Sequence, residues 1–500
     1  MTGQVCCVDH TRPGTKVIAG RWFCDEHYAK AAYKRGGVWR SEIAGVVGLL
    51  VFVGALVGVD AALQPNLGGS ALLLVGVVMA LVPAALWLFF FYQQDRLEPE
   101  PVHNVARMFL IGLALAGALG IPFTDQFFKV SDWLYRDTLT TVLGSIFLPG
   151  AVEAFVVYAT LRYFIFDSPE FDERTDGVIY GTAAALGYAT ALNLQFILSS
   201  GGAALGAGEI FVTEVALARA AFGGLLGYFV GRSKLEQEPV WWLPVGLLLT
   251  AVLNGLFNYV RGIADPGEVM IGTETGLPSF TGLLLAGGLA IVVAVVVYYL
   301  INRDIARSLG GDQPAATIAP TVGDRRANYA AVGTLVAMLI VGALAWNNAV
   351  NRTAPFDQGG VRGAYPAYFG DATDEGEVLR VVDNVGTGAE FAILTRDLSG
   401  SEDAESVADA LGGQRGTDFQ AYKVVSRGAS VVNGKPAFVQ RFAYVDPLSL
   451  VGAVPEVREG ADYIFTNGSR AIVVTLLTSP DDVEEVEPLF ARFLNSLLFQ

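Results

Sequence analysis

Residues 69–93 read GSALLLVGVVMALVPAALWLFFFYQ, a run without one charged side chain. At about 1.5 Å rise per residue, a helix of this length exceeds the roughly 30 Å hydrocarbon core of a bilayer. It is one of several such runs. Comparable stretches occur at about 42–62, 105–123, 142–166, 177–199, 209–231, 241–260, 280–301 and 328–348. The sequence therefore predicts a polytopic α-helical membrane protein of about nine transmembrane helices. Composition agrees: 53% of residues are hydrophobic and 16% charged, against roughly 25% charged in a soluble domain.

The charges between these runs predict orientation. Lys and Arg concentrate in cytoplasmic loops. The stretch before the first run has Arg12, Lys16, Arg21, Lys30, Lys34, Arg35 and Arg40. Loops on the same side add Arg96, Arg107, Arg162, Arg174, Arg232, Lys234, Arg303, Arg307, Arg325 and Arg326. Opposite loops carry only Lys129, Arg136 and Arg261. Seventeen bases against three place the N-terminus in the cytoplasm, and nine crossings place the C-terminus outside. Residues 1–40 have no apolar stretch behind a short basic start, so the first span serves as the targeting signal.

The predicted organisation is a cytoplasmic head (1–40), an eight-helix membrane core (42–301), a cytoplasmic linker (302–327), a ninth span (328–348), a second linker (349–376) and an extracytoplasmic α+β domain (377–500). From Asn351 onward there are 22 acids and 12 bases, a net of −10 within a total of −16. That acidic balance excludes nucleic acid as the main partner, since phosphate contacts need basic clusters.

All three cysteines and two of the three histidines fall between Cys6 and His27. Cys7 and His10 are two residues apart, as are Cys24 and His27. Two thiolates and two imidazoles form a full tetrahedral set for zinc, which leaves no open coordination position. Cys6 is the alternative to Cys7. A segment this small needs such a metal to fold. The expected cofactor is thus one structural zinc ion.

Chemistry inside the membrane is restricted. No span contains His, and His103 lies in a loop. A Ser-His dyad is excluded there, as is a His-containing catalytic zinc site. Only Asp60 falls in a span, at its edge, so paired aspartates are excluded too. Gly428 to Gly434-Lys435 has the wrong spacing for a phosphate loop. The polar residues at membrane depth are Glu153, Asn193, Glu214, Arg219, Asn254 and Asn258. Such groups are costly in lipid and normally paired.

Asp95-Arg96-Leu97-Glu98-Pro99-Glu100-Pro101 follows the run quoted first. Pro149-Gly150-Ala151-Val152-Glu153, Asp176-Gly177-Val178-Ile179-Tyr180-Gly181, Leu186-Gly187-Tyr188-Ala189, Gly227-Tyr228 and Asn254-Gly255-Leu256-Phe257-Asn258 come after it in order. Over about residues 70–300 this resembles the PrsW family of intramembrane proteases. The resemblance implies a metal-dependent protease that cuts membrane helices. Its expected site combines a Glu-Glu-x-x-Lys motif, a Glu-Asn pair on the next helix, and a His on each of two later helices. This chain departs from that set. Glu153 matches the first Glu, but Ala154 and Val157 stand at the second Glu and the Lys. The Glu-Asn pair reads Leu192-Asn193, and the two His positions read Arg219 and Asn254.

The expectation is therefore a degenerate PrsW-type protein, a membrane scaffold, sensor or client-binding pseudoprotease. Arg219 replaces the lost cation beside Glu153, with Glu214 as a competing partner. The alternative is an active intramembrane protease that cleaves membrane-anchored regulators such as anti-sigma factors. A transporter ranks third, because no broken helix is evident. The expected partners are the bilayer, a transmembrane client and a cytoplasmic protein bound by the head.

In the C-terminal domain Asn433-Gly434 and Asn467-Gly468 are hairpin turns between Val-rich strands. Helices are expected at Ser401–Leu411 and Asp481–Phe499. Asn433-Gly434-Lys435-Pro436-Ala437 together with Phe490–Leu497 resembles PsbP-like domains. That resemblance implies partner or ligand binding rather than catalysis.

Overall fold

The computed structural model describes residues 5–6, 11–18, 21–32, 38–63, 69–92, 100–134, 138–199, 205–236, 238–262, 280–309, 322–383, 387–399, 402–446 and 456–499. The chain divides into two units, Met1–Phe128 with Thr141–Ala343, and Lys129–Thr140 with Leu344–Gln500.

The first unit begins with a small head. Strands β1 (Lys16–Ile18) and β2 (Arg21–Phe23) form a hairpin followed by α1 (Asp25–Ala32). Next come α2 (Val38–Leu63), α3 (Gly69–Tyr92) and α4 (Val102–Leu115). Wide π-type turns over Ala116–Gly120 and Pro122–Phe127 continue α4. The short α5 (Val130–Trp133) belongs to the second unit. Helix α6 (Thr138–Ser145) runs through a π-type turn at Ile146–Gly150 into α7 (Ala151–Phe164). Pro149, which lacks an N–H, explains that turn. It lies one helical turn before Glu153. The bundle continues with α8 (Arg174–Ser199), α9 (Leu205–Leu235), α10 (Trp242–Gly262), α11 (Phe280–Leu309) and α12 (Val322–Asn351).

Among the described residues a helix covers each of the nine expected stretches. Five are long and apolar enough to cross a membrane: Val102–Phe127, Thr138–Phe164, Ile210–Leu235, Trp242–Val260 and Arg325–Asn351. Shorter apolar segments occur at Val47–Val59, Leu73–Phe89 and Gly287–Arg303. Helix α8 falls outside both groups, and its side chains from Thr175 to Ala191 are buried. Its neighbours in the bundle allow it to be more polar than a lipid-facing helix.

Backbone approach holds α8 in place. A Cβ on Gly227 would lie 1.9 Å from the Gly177 carbonyl, and one on Gly181 would lie 2.4 Å from the Gly223 carbonyl. Gly177 and Gly181 thus face Gly223, Gly227 and Gly231 at four-residue spacing. This is the small-residue packing that membrane helices use where lipid offers no hydrophobic drive. Against α4, Gly187 meets the Phe109 carbonyl, which a Cβ would approach to 2.0 Å.

The second unit is α+β. Strands β3 (Thr353–Gln358) and β4 (Val361–Pro366) form a hairpin. Then follow β5 (Gly370–Asp371), β6 (Leu379–Val382), β7 (Glu390–Asp397), α13 (Ala404–Asp418), β8 (Gln420–Val432), β9 (Lys435–Asp446), β10 (Glu456–Asn467), β11 (Arg470–Thr478), α14 (Val483–Ser496) and β12 (Leu498–Phe499). An antiparallel seven-stranded sheet has the order β5-β6-β7-β11-β10-β9-β8, and a second sheet has the order β12-β4-β3. Val486, Phe490, Phe493 and Leu494 of α14 are buried in one core with Phe356, Phe391, Ile472 and Val474.

This corrects one sequence expectation. Residues 349–376 are not a linker, because α12 runs to Asn351 and β3, β4 and β5 follow. Gly359 and Gly360 both take positive φ, 59° and 77°. Their freedom permits the tight turn that pairs Gln358 with Val361. The first linker is also shorter than 302–327, since α11 reaches Leu309 and α12 starts at Val322; residues 310–321 lie outside the described residues. Helix α13 is longer than Ser401–Leu411 and begins at a capping box between Asp403 and Ser406.

Candidate functional site

Three polar residues of the membrane core, Glu153, Asn254 and Asn258, converge on Arg219. Its Nε lies 3.0 Å from Glu153 Oε2, and both side chains are 4% exposed. This contact is an ion pair rather than a linear hydrogen bond, since Nε satisfies no donor geometry. Arg219 Nη1 donates to Asn254 Oδ1 at 2.5 Å, and Nη2 donates to Asn258 Oδ1 at 3.4 Å. The guanidinium also stands 5.3 Å from the centre of the Phe257 ring, within cation–π range. Each guanidinium nitrogen therefore faces its own oxygen. The fixed, planar charge of Arg suits such a divided role.

Asn193 is not part of this contact. Its Nδ2 donates to the Val212 carbonyl at 3.2 Å. It borders a cavity of about 250 Å³ that Arg219 also lines, together with Leu192, Gln195, Phe196, Phe211 and Val215. Glu214 is buried on α9, but among the described residues the polar partners of Arg219 are Glu153, Asn254 and Asn258. Gln195 was not singled out from sequence, and Phe257 was quoted only within the Asn254–Asn258 motif. Aromatic and amide side chains in an apolar helix give no signal until the helix faces are known.

The arrangement opposes a hydrolytic metal at this place. One carboxylate and neutral amide oxygens face a guanidinium, which pairs with Glu153 and donates to Asn254, taking the oxygens a cation would need. A water-activating metal needs several anionic or imidazole ligands.

A second cluster lies in the head. His27 Nδ1 is 3.3 Å from Cys6 Sγ and 3.4 Å from Cys24 Sγ. Cys6, Cys24 and His27 bring their ligand atoms within 4.8 Å of one another and are able to hold a metal ion. The hairpin and α1 explain the placement. Cys24 directly precedes α1, His27 lies in its first turn, and the His27 N–H points to Cys24 Sγ at 3.5 Å. The N–H of Cys6 donates to the Arg12 carbonyl at 2.8 Å, which closes a loop on the other side. Cys7 and His10 lie outside the described residues. Cys6, the alternative to Cys7, lies with Cys24 beside His27.

The fold and the buried ionic cluster define a polytopic helical membrane protein. Residues 100–301 match the family model described as PrsW family intramembrane metalloprotease. Protease PrsW of Geobacillus kaustophilus (strain HTA426) is 29% identical over 187 residues, covering 36% of this chain and 76% of that protein. Protease PrsW of Bacillus subtilis (strain 168) is 25% identical over 184 residues, covering 36% and 79%. The membrane core is thus similar to the PrsW proteases over residues 100–301. There is also a distant structural likeness to cyanobacterial PsbP (CyanoP) from Synechocystis sp. PCC 6803. The TM-score is 0.25 at 15% identity, covering 30% of this chain and 92% of that one.

Proposed function

We propose that this chain is a non-catalytic PrsW-type protein that acts as a membrane scaffold or sensor and holds a transmembrane client. The observation that carries this reading is the Arg219 guanidinium against Glu153, at positions where the family resemblance calls for metal ligands. The permanent cation balances the one retained acid. The cavity beside Arg219 leaves room for a client side chain. The test is co-expression with single-span reporter proteins, read both for fragments and for crosslinks to the core. Crosslinking without fragments is the expected result. Fragments that vanish with Glu153→Ala would establish the rival reading, an active protease acting on membrane-anchored regulators such as anti-sigma factors.

In this reading the head is cytoplasmic and carries one structural zinc ion. Cys6, Cys24 and His27 supply ligands, and the full set displays α1 to a cytoplasmic protein. The C-terminal domain is extracytoplasmic. The loop-charge asymmetry supports that orientation.

A further inference from the structure

Two helices build the cavity of about 250 Å³ beside Arg219. Phe211, Val215 and Arg219 stand four residues apart on α9. One stripe of that helix therefore lines the cavity for two turns, about 12 Å. Helix α8 supplies Asn193, Gln195 and Phe196. Asn193, Val215 and Arg219 are buried, whereas Phe196 and Phe211 are half-buried, their rings stacked with centres 4.5 Å apart. The buried end thus carries an amide and a guanidinium, and the half-buried end carries the two rings. Gln195 is engaged elsewhere, since its Nε2 donates to Asp125 Oδ2 in the turns after α4.

Hydrogen-bonding capacity is left over at the buried end. Asn193 Nδ2 donates to the Val212 carbonyl at 3.2 Å. A carbonyl only accepts, which fixes which end of the amide is nitrogen. Among the described residues Asn193 Oδ1 has no hydrogen-bond partner, and the residue is 1% exposed. A buried acceptor in that state costs free energy. Arg219 has donors to spare. Its Nη1 and Nη2 each carry two N–H groups and give one apiece, to Asn254 and Asn258. The cavity therefore lacks a donor for Asn193 and an acceptor for Arg219. Its charge is already balanced, because Glu153 faces the guanidinium at 3.0 Å. An ionised ligand would bring an uncompensated charge to membrane depth.

We propose, on the basis of the client-holding reading above, that this cavity selects its client by one neutral side chain that donates to Asn193 Oδ1 and accepts from Arg219: an Asn, Gln, Ser or Thr within an apolar transmembrane helix. Such residues are the ones that hydrogen-bond between membrane helices. A buried polar site rejects an apolar ligand of equal size, because binding it leaves the site's own groups unpaired. The rings of Phe196 and Phe211 offer apolar surface to the helix that carries the polar residue.

The test uses the full-length chain with Phe196 replaced by the photo-crosslinker benzoylphenylalanine, which keeps an aromatic ring at the mouth. It is co-expressed with single-span reporters whose Leu/Ala helix carries one guest residue, moved along the helix position by position. Guests are compared in matched pairs, Asn against Leu and Thr against Val, with Lys as the charged control. At positions within about one helical turn, Asn and Thr should raise the crosslinked product roughly three- to tenfold over their apolar partners, the worth of one or two interhelical hydrogen bonds. Lys should not raise it. Asn193→Leu should erase the preference and keep the basal crosslink. Should that variant fail to fold, the guest series on the Asn193 chain decides alone. Equal products within each pair, or a rise with Lys equal to that with Asn, would overturn the inference and leave the client-holding reading standing. No crosslink with any guest would overturn both.

Discussion

Arg219 on α9 holds Glu153 on α7 with an Nε to Oε2 separation of 3.0 Å, each side chain 4% exposed. Two opposite charges this deep each depend on the other for solvation. Removing one should cost more than removing both. Arg219→Ala and Glu153→Ala should each destabilise the core by about 3–5 kcal/mol by analogy with broken buried pairs, or roughly 2.5–3.5 on membrane-insertion scales. The double change should recover part of that loss. Thermal melts of the four proteins in one detergent measure it, and strictly additive losses would contradict the pairing.

The head should bind one zinc ion per chain. Cys6→Ser, Cys24→Ala and His27→Ala should each remove it, because a tetrahedral site tolerates no missing ligand. Metal analysis of the purified protein provides the check. Zinc retained after deletion of residues 1–40 would move the metal to the membrane core and defeat this assignment.

Orientation is open to a direct test. A protease added to intact cells should reach the C-terminal domain from residue 351 onward and leave the head untouched. A C-terminal tag protected in intact cells but cut after lysis would reverse the predicted topology.

The α8–α9 contact should be intolerant of a single methyl group. On Gly227 a Cβ would come within 1.9 Å of the Gly177 carbonyl, whereas on Gly333 it would meet nothing within 4 Å. Gly227→Ala should therefore cost on the order of 1–3 kcal/mol, the usual range for overpacking. Gly333→Ala, on the open face of α12, should leave the melting temperature unchanged or raise it. Equal effects at the two positions would refute the close approach.

Hydropathy made the membrane class legible, because crossing a bilayer is a local property of about twenty consecutive residues. The cost of a charge in lipid likewise singled out Glu153 and Arg219 before any contact was known. The NG turn of the C-terminal domain was equally local: Asn433 and Gly434 both take positive φ, 50° and 75°, between paired Val432 and Lys435. The β3–β4 hairpin was missed because its Gly359-Gly360 turn sits in a polar stretch whose strands are short. Only Phe356 is buried on β3, and only Val361 and Pro366 on β4.

The apolar stretches, the polar residues within them, the Cys and His residues of the head and the turn chemistry of the C-terminal domain are legible along the chain, since each is a property of sequence neighbours. Tertiary structure alone decided that Arg219 divides itself among Glu153, Asn254 and Asn258 rather than taking Glu214. It also decided that Cys6 joins Cys24 and His27. These pairings depend on how each helix is rotated about its axis. That rotation is set by backbone contacts, such as those of Gly177, Gly187 and Gly227, between residues far apart in the chain.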